Sequence, residues 1–143
     1  MPQTREKSNF DVDLDFGTKS EQEVVDMFEH DGRIEVKTER DIWMSTGNIV
    51  FEIKGYDGRL SGISSTKATW WIQALNYNNQ NLMMLTFKVL VLKKILKRMV
   101  GDDIAEIKKG GDGNNSTMIV VPIYKLIREY LNYNEIYGNN KKG

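Results

Sequence analysis

Hydrophobic and polar positions alternate in two short stretches in the first half of the chain. The first covers residues 33–39 (RIEVKTE) and the second covers residues 48–54 (NIVFEIK). Alternation with a period of two is typical of a β-strand that has one apolar and one polar face. We therefore predict two antiparallel strands that form a hairpin, joined by a wide loop that contains the residues IWMSTG.

The polar face of this hairpin would bring two acids together. If Asp41 pairs with Thr46 across the loop, Glu35 lies directly opposite Glu52. Carboxylates that face each other in a sheet repel. Two interpretations stay open: the acids form a solvated pair neutralised by nearby lysines, or they bind a divalent cation. Carboxylate oxygens suit Mg²⁺ or Mn²⁺, and the bound cation would turn the repulsion into attraction.

The remaining patterns predict four helices and two further strands. The helices cover residues 18–29, 64–75, 91–100 and 123–132, and the strands cover residues 82–90 and 117–121. Loops rich in Gly, Asn and Ser separate them at residues 55–62, 76–81 and 108–116. This order predicts an α/β or α+β fold with a small mixed central sheet flanked by helices. We expect a flexible segment over residues 1–16, one domain over residues 17–132, and a frayed tail over residues 133–143.

The composition is that of an ordinary globular domain. The chain has 143 residues, 40% hydrophobic and 28% charged, with a net charge of zero. Cysteine is absent and histidine occurs once, which excludes disulfides, thiolate metal sites and nucleophiles activated by a histidine. The N-terminal residues lack the apolar region of a signal peptide, and no apolar run is long enough to span a bilayer. We therefore expect an intracellular, cytoplasmic protein without membrane contact.

Two single residues are candidates for function, and each has a plain structural alternative. Glu21 falls on the apolar face of the first helix, where it either favours the positive helix end or points towards the hairpin. Trp43 lies in the hairpin loop, where it either contacts DNA or a second subunit or folds back on the core.

The helix predicted over residues 91–100 carries the densest basic patch of the chain. Lys93, Lys94 and Lys97 lie on its polar side. A basic helix face is either simply solvated or in contact with phosphate groups. Together with Lys67, these lysines are the candidate DNA-binding residues.

Glu35-Val36-Lys37 and Glu52-Ile53-Lys54 each place an acid and a lysine on the same face of a strand, because residues i and i+2 project to the same side. With a glutamate on the helix upstream and the block SGISSTKA downstream, the chain resembles the PD-(D/E)XK nuclease superfamily over residues 17–75. More narrowly, it is similar to phage-type and Holliday-junction resolvase-like nucleases.

The resemblance implies a restriction-endonuclease-like core and a Mg²⁺- or Mn²⁺-dependent DNA endonuclease that cuts phosphodiester bonds, with branched DNA as a candidate substrate. It also implies a homodimer, and it suggests a viral protein that acts in the host cytoplasm. The alternative is a DNA-binding or assembly protein that keeps the nuclease fold without catalysis. In the superfamily, acids hold the metal ion and the lysine positions or polarises the attacking water.

Two assignments of these roles are compatible with the residues. In the preferred one, Glu35 and Lys37 form the acid-x-Lys pair, Glu52 is the opposing acid and Glu21 is the helix acid. In the other, Glu39 is the first strand acid and the pair is Glu52 with Lys54. The chain departs from the family because no proline precedes any of the candidate acids.

Overall fold

The computed structural model describes residues 9–29, 33–110 and 115–138, with side chains at residues 17–28, 33–110 and 115–133. The chain divides into two compact units, one up to Arg33 and one from Ile34 onward. The first unit contributes helix α1 (Asn9–Glu29), which begins inside the segment expected to be flexible. Val24, Val25 and Phe28, the predicted apolar face of this helix, are exposed.

The second unit contains all the strands of the described chain. Its elements are β1 (Ile34–Glu39), α2 (Ile42–Thr46), β2 (Asn48–Lys54), a 3-10 turn (Gly62–Ser64), β3 (Trp70–Tyr77), β4 (Gln80–Lys88), α3 (Val89–Gly101), β5 (Glu106–Gly110), β6 (Ser116–Pro122) and α4 (Ile123–Gly138). A first sheet has the order β1-β3-β4, and a second sheet has the order β2-β6-β5. Only β1 and β3 are parallel among these pairs. The mixed α+β class is confirmed, with the strands divided between two sheets instead of one.

The predicted hairpin of β1 and β2 is wrong, although both strands form where the alternation predicts them. β1 pairs with β3, which places Glu35 beside Trp71, and β2 pairs with β6, which places Glu52 beside Met118. Glu35 and Glu52 therefore do not face each other. The connection between the strands explains the separation, because it forms the short helix α2 in place of a wide hairpin loop.

Helix α2 is held in place by Trp43. The indole is only 7% exposed and belongs to the hydrophobic core. Its Nε1 donates a hydrogen bond to the carbonyl oxygen of Asn76 at 2.7 Å. Gly47 then reverses the chain in the left-handed region at φ 72°. Of the two interpretations of Trp43, folding back on the core is confirmed, and a direct contact with DNA or a second subunit is wrong.

The helix predicted over residues 64–75 is also wrong, because the second half of that segment belongs to the strand β3. β3 is the central strand of the first sheet, with Trp71, Gln73, Ala74 and Leu75 all buried. A strand buried on both faces loses the alternation that identifies strands on the surface. The aromatic and β-branched residues of its first half favour a strand.

The later elements agree more closely with the sequence. Strand β4, helix α3, strand β6 and helix α4 occupy the segments predicted for them, and α4 continues to Gly138 into the tail expected to fray. The predicted loop at residues 76–81 is a tight turn at Asn78 and Asn79, which have φ values of 51° and 62°. Of the loop predicted at residues 108–116, residues 108–110 belong to β5 and residues 111–114 lie outside the described chain. No helix in the described ranges is long and apolar enough to cross a membrane.

One hydrophobic core joins the two sheets and the helices that pack on them. Its fully buried members include Ile49, Phe51, Trp71, Leu75, Leu92, Ile95, Leu96, Met99, Val121 and Leu126. The rings of Phe51 and Trp71 lie 6.1 Å apart between centroids, which brings β2 of one sheet against β3 of the other. This aromatic contact is part of the core that joins the two sheets.

Candidate active site

A cavity of about 240 Å³, with charged and polar side chains among its lining residues, opens where the first and second sheets approach each other. Its walls come from β1, β2, β3 and the 3-10 turn. The lining residues are Lys37, Thr38, Glu39, Val50, Glu52, Gly62, Trp71 and Gln73. The two acid-bearing strands thus contribute to one cavity even though their main chains do not pair.

Glu39 links the two sheets through its side chain. Its Oε1 accepts a hydrogen bond from the main-chain N–H of Val50 on β2 and another from Gln73 Nε2 at 2.9 Å. Gln73 Nε2 also lies 3.5 Å from the carbonyl oxygen of Val50. Because β2 is an edge strand, these side chains occupy main-chain groups that a neighbouring strand would otherwise bind. They take the place of the main-chain pairing that the predicted hairpin would have supplied.

The environment of Glu39 favours the neutral acid. Burial raises the pKa of this carboxyl above its ordinary value of 4.5, and the hydrogen bonds from Val50 and Gln73 offset part of that rise. A carboxylate loses solvation when it is buried, whereas donors stabilise its charged form. Glu39 therefore lacks a full set of partners for its negative charge, and a cation in the cavity would supply one.

Gln73 is the buried polar centre of the site. It is 1% exposed, and its Oε1 accepts a hydrogen bond from Trp71 Nε1 at 2.8 Å. Its Nε2 is then directed to Glu39. The tryptophan donor fixes which end of the amide faces the carboxylate, so Gln73 orients Glu39 in the cavity.

Glu52 is held by the loop that follows β2. Its Oε2 accepts a hydrogen bond from the Ser61 hydroxyl at 2.9 Å. Ser61 is itself placed by its N–H, which donates to the carbonyl oxygen of Ile53 at 3.0 Å. Gly62 follows at φ 54°, and a Cβ there would lie 2.4 Å from the carbonyl oxygen of Glu52. The loop can pack this closely against β2 only with glycine at that position.

The preferred assignment from the sequence is only partly compatible with this geometry. Lys37 and Glu52 line the cavity, whereas Glu35 does not; it forms an ion pair with Lys37 at 3.4 Å. Lys54 is exposed and does not line the cavity either. Glu21 is exposed on α1, which belongs to the first compact unit, whereas the cavity belongs to the second.

The alternative assignment contributes the acid that the preferred one lacks. Glu39, its first strand acid, lines the cavity with Glu52. The structure therefore combines Lys37 from one assignment with Glu39 from the other.

The carboxylates of Glu39 and Glu52 are the candidate ligands for a divalent cation in this cavity. Oε2 of Glu39 and Oε1 of Glu52 accept no hydrogen bond within the described ranges, so both retain free lone pairs. Mg²⁺ is commonly bound through one or two carboxylates, with water or substrate phosphate completing its shell. No group of three or more His, Cys, Asp or Glu side chains is arranged for metal binding in the part of the chain that the structure describes. The donor set thus fits a weakly held Mg²⁺ or Mn²⁺ rather than a fully enclosed ion.

The candidate DNA-binding lysines lie apart from this cavity. Lys93 and Lys97 line an apolar groove of about 410 Å³ together with Ile53, Leu96 and Ile107, among others. Glu52 and Ile53 are consecutive on β2, and successive strand residues point to opposite faces. Lys94 is exposed on the same helix, and Lys67 is exposed in the segment before β3.

Arg98, on the same basic helix, is already paired. It binds Glu129 of α4 at 2.6 Å, in an ion pair that joins α3 to α4. Its charge therefore serves the packing of the two helices.

Sequence reasoning missed Gln73, Trp71 and Ser61 as site residues. The available signal was a glutamine between apolar residues in the segment WWIQAL. Because the sequence predicts a helix over this segment, it gives no functional role to Gln73. Reading the same segment as a strand places Trp71 and Gln73 on one face.

Comparison with protein-family models, with curated proteins and with solved structures finds no match to this chain. The resemblance to PD-(D/E)XK nucleases, including the restriction-endonuclease-like core, stays a prediction based on the residues quoted above.

Proposed function

We propose that this protein is a Mg²⁺- or Mn²⁺-dependent DNA endonuclease of the PD-(D/E)XK type, with branched DNA as the candidate substrate. The observation that supports the proposal most is the single cavity shared by Lys37, Glu39 and Glu52. Two acids and a lysine in one cavity are the groups that phosphodiester hydrolysis requires. The phosphate is anionic and repels a hydroxide nucleophile, so positive charge beside it lowers the barrier.

The roles follow from the contacts of each side chain. Glu39 and Glu52 would hold the metal ion through their free oxygens. The ion supplies charge that stabilises the developing phosphate transition state and activates water. Lys37, whose ammonium pairs with Glu35 at 3.4 Å, would hold the attacking water or a phosphate oxygen. Gln73 and Ser61 act as positioning residues, because each donates a hydrogen bond to one of the two carboxylates.

The surrounding surface would contact the DNA backbone. Lys67, Lys94 and Lys97 are exposed cations that can neutralise phosphates, and Lys93 is half-buried on the wall of the groove. A homodimer would present two cavities, which suits symmetric cutting of two strands. Such an enzyme would act in the cytoplasm, the host cytoplasm if the protein is viral.

A second candidate function is a DNA-binding or assembly protein with this fold and no catalysis. Two observations favour it: the net charge is zero, and the cavity contains two carboxylates without a third metal ligand. Both functions require DNA binding, but only the endonuclease requires the metal. Metal-dependent strand cleavage therefore separates the two.

The test is a cleavage assay on a four-way junction, a flap and a linear duplex, each with Mg²⁺, Mn²⁺ or EDTA. The proposal predicts metal-dependent cleavage by the wild type and a loss of about 100-fold or more in turnover for Lys37→Ala. Lys54→Ala is the matched control, because Lys54 ends the other acid-x-Lys string without lining the cavity. We expect it to retain activity within a few-fold of the wild type.

Three outcomes would contradict the proposal in different ways. Full activity of Glu52→Gln would mean that this cavity is not the catalytic site. A larger loss for Lys54→Ala than for Lys37→Ala would assign the catalytic lysine to the end of β2. Binding of the three DNAs without cleavage in either metal would support the second function.

A further inference from the structure

Strand β4 is an edge strand with a β-bulge at Leu82, but it lacks the charges that occur along the other sheet edges. The edge strands are β1 and β4 in the first sheet and β2 and β5 in the second. Charged residues occur along three of them: Glu35, Lys37 and Glu39 on β1, Glu52 and Lys54 on β2, and Glu106, Lys108 and Lys109 on β5. β4 contains no charged residue before its last position, Lys88, and no proline or glycine. Charges and prolines on an edge strand normally prevent it from pairing with another chain.

The side chains of β4 are also apolar and open to solvent. Leu82, Met83 and Met84 are 47%, 51% and 58% exposed. Met83 and Met84 pair regularly with Leu75 and Ala74 and therefore point to opposite faces of the sheet, so apolar surface is exposed on both faces of this edge. A ligand that covered only one face of the sheet would leave the apolar side chains on the other face exposed to solvent. An added strand covers both faces and also binds the outward main-chain groups.

We propose that β4 pairs with β4 of a second copy of this chain, in an antiparallel arrangement that joins the two first sheets into one six-stranded sheet. A two-fold axis makes two identical strands antiparallel, and the regular part of β4 from Met83 onward is compatible with this symmetry. The segment from Gln80 to Phe87 is uncharged, so its two copies meet without the repulsion of like charges. The charged edges β1, β2 and β5 lack this property.

The symmetry also defines a register. If the axis passes beside Met84, that residue meets its own copy. Met83 then faces Leu85 of the partner, and beyond Met83 the bulge at Leu82 interrupts the residue-by-residue pairing. Lys88 lies away from the axis, so the single cation of the strand is not opposed by its own copy. The exposed methionines become the centre of the interface. The interface does not depend on the proposed nuclease activity.

The first measurement is the mass of the full chain by analytical ultracentrifugation over a range of concentrations. The chain has a mass of 16.5 kDa, and we expect wild type to reach twice that value at high concentration. Met84→Lys should stay monomeric, because it places two like charges at the two-fold axis. Ile107→Lys is the matched control, because Ile107 is also exposed on an edge strand, but on β5, where charge is already present. It should dimerise as wild type does.

A charge-exchange experiment separates β4 self-pairing from other modes of association. Met84→Lys and Met84→Glu should each be monomeric alone, and an equimolar mixture should form a dimer because opposite charges then meet at the axis. If the mixture remains monomeric while wild type dimerises, the proposed register is wrong. A monomeric wild type at every concentration, a wild-type assembly larger than a dimer, or a dimer that persists in Met84→Lys would overturn the proposal.

Circular dichroism shows whether the Met84 variants fold. If they do not, hydrogen exchange of the wild type decides the question at two protein concentrations. Main-chain amides of β4 should exchange more slowly at the higher concentration, while those of β5 should not change. Equal exchange in β4 at both concentrations would contradict the interface, and would leave β4 as an edge for an extended peptide of another protein.

Discussion

At the scale of single residues, the cavity contains a carboxyl group, that of Glu39, whose charged form is destabilised by burial. Glu39 is partly buried, and its two donors only partly offset the loss of solvation. Folding therefore favours the protonated form of this residue. The free energy of unfolding should respond to its titration in a defined direction.

We expect Glu39 to make wild type less stable as pH rises above the ordinary pKa of 4.5. Because burial raises the folded-state pKa, the native state holds its proton more tightly than the unfolded state does. The Glu39 contribution to stability is thus fully present below the unfolded pKa and is lost as pH rises through the folded pKa. Glu39→Gln should abolish this contribution, so its stability relative to wild type should increase over that window and then stay constant.

The measurement is urea denaturation of wild type and Glu39→Gln at a series of pH values from 4 upward. Glu106→Gln is a suitable control, because Glu106 is an exposed carboxylate on β5. Over this pH window, Glu39→Gln should gain more stability relative to wild type than Glu106→Gln does. If Glu39→Gln loses stability relative to wild type as pH rises, the burial of Glu39 does not determine its titration.

The sequence identified some residues of the cavity and missed others for a physical reason. Lys37 and Glu52 were recognisable because the acid-x-Lys spacing lies within a single strand. Gln73 was not, because its importance comes from its contact with Glu39, 34 residues away. Local spacing cannot report on partners that only the tertiary fold brings together.

At the scale of elements, alternation predicted the strands with one exposed face and failed for the buried one. β1 and β2 were recognised from period-two patterns, and α3 was recognised from its apolar stripe. β3 was mistaken for a helix because its apolar residues cover both faces of a central strand. Burial of both faces in the tertiary fold removes the alternation of apolar and polar residues by which a strand is recognised in a sequence.

The loop after β2 offers a test of how tightly an element must pack to form the cavity. Gly62 and Gly58 both have positive φ, at 54° and 77°, but only at Gly62 would an added Cβ meet a main-chain atom. We expect Gly58→Ala to cost roughly 1–2 kcal/mol from backbone strain alone. Gly62→Ala should cost more than this, by about 1 kcal/mol or more, because the loop must also move away from Glu52.

Urea denaturation of the two glycine variants gives both free energies of unfolding. The difference between them isolates the close approach to Glu52, since both variants carry the strain of a positive φ. Equal losses would mean that the loop can shift from β2 without cost. In that event Ser61 would not hold Glu52 in a fixed position.

At the scale of the whole molecule, the elements were easier to predict than their pairing. Two strands close in sequence normally form a hairpin, and that assumption placed Glu35 opposite Glu52. Burial of Trp43 in α2 instead separates the strands, so that β1 pairs with β3 and β2 pairs with β6. The stabilisation gained by burying the Trp43 indole in the core cannot be predicted from the alternation of apolar and polar residues in β1 and β2.

The corrected pairing changes which residues should respond to metal, and a thermal melt tests this directly. A cation that binds the folded protein and not the unfolded chain stabilises the folded state and so raises the melting temperature. The stabilisation is about 2.7 kcal/mol when the free cation concentration is a hundred times the dissociation constant. We expect millimolar Mg²⁺ to raise the melting temperature of wild type, and Mn²⁺ to raise it further because Mn²⁺ is less strict about coordination geometry.

Glu39→Gln and Glu52→Gln should each remove most of the shift, because each takes away one of the two carboxylates. Glu35→Gln is the discriminating control: Glu35 lies on the same strand as Glu39 but outside the cavity, so its shift should match that of wild type. Loss of the shift in Glu35→Gln would mean that Glu35 also contributes to the metal site, and an equal shift in all four proteins would mean that the cavity does not bind the ion.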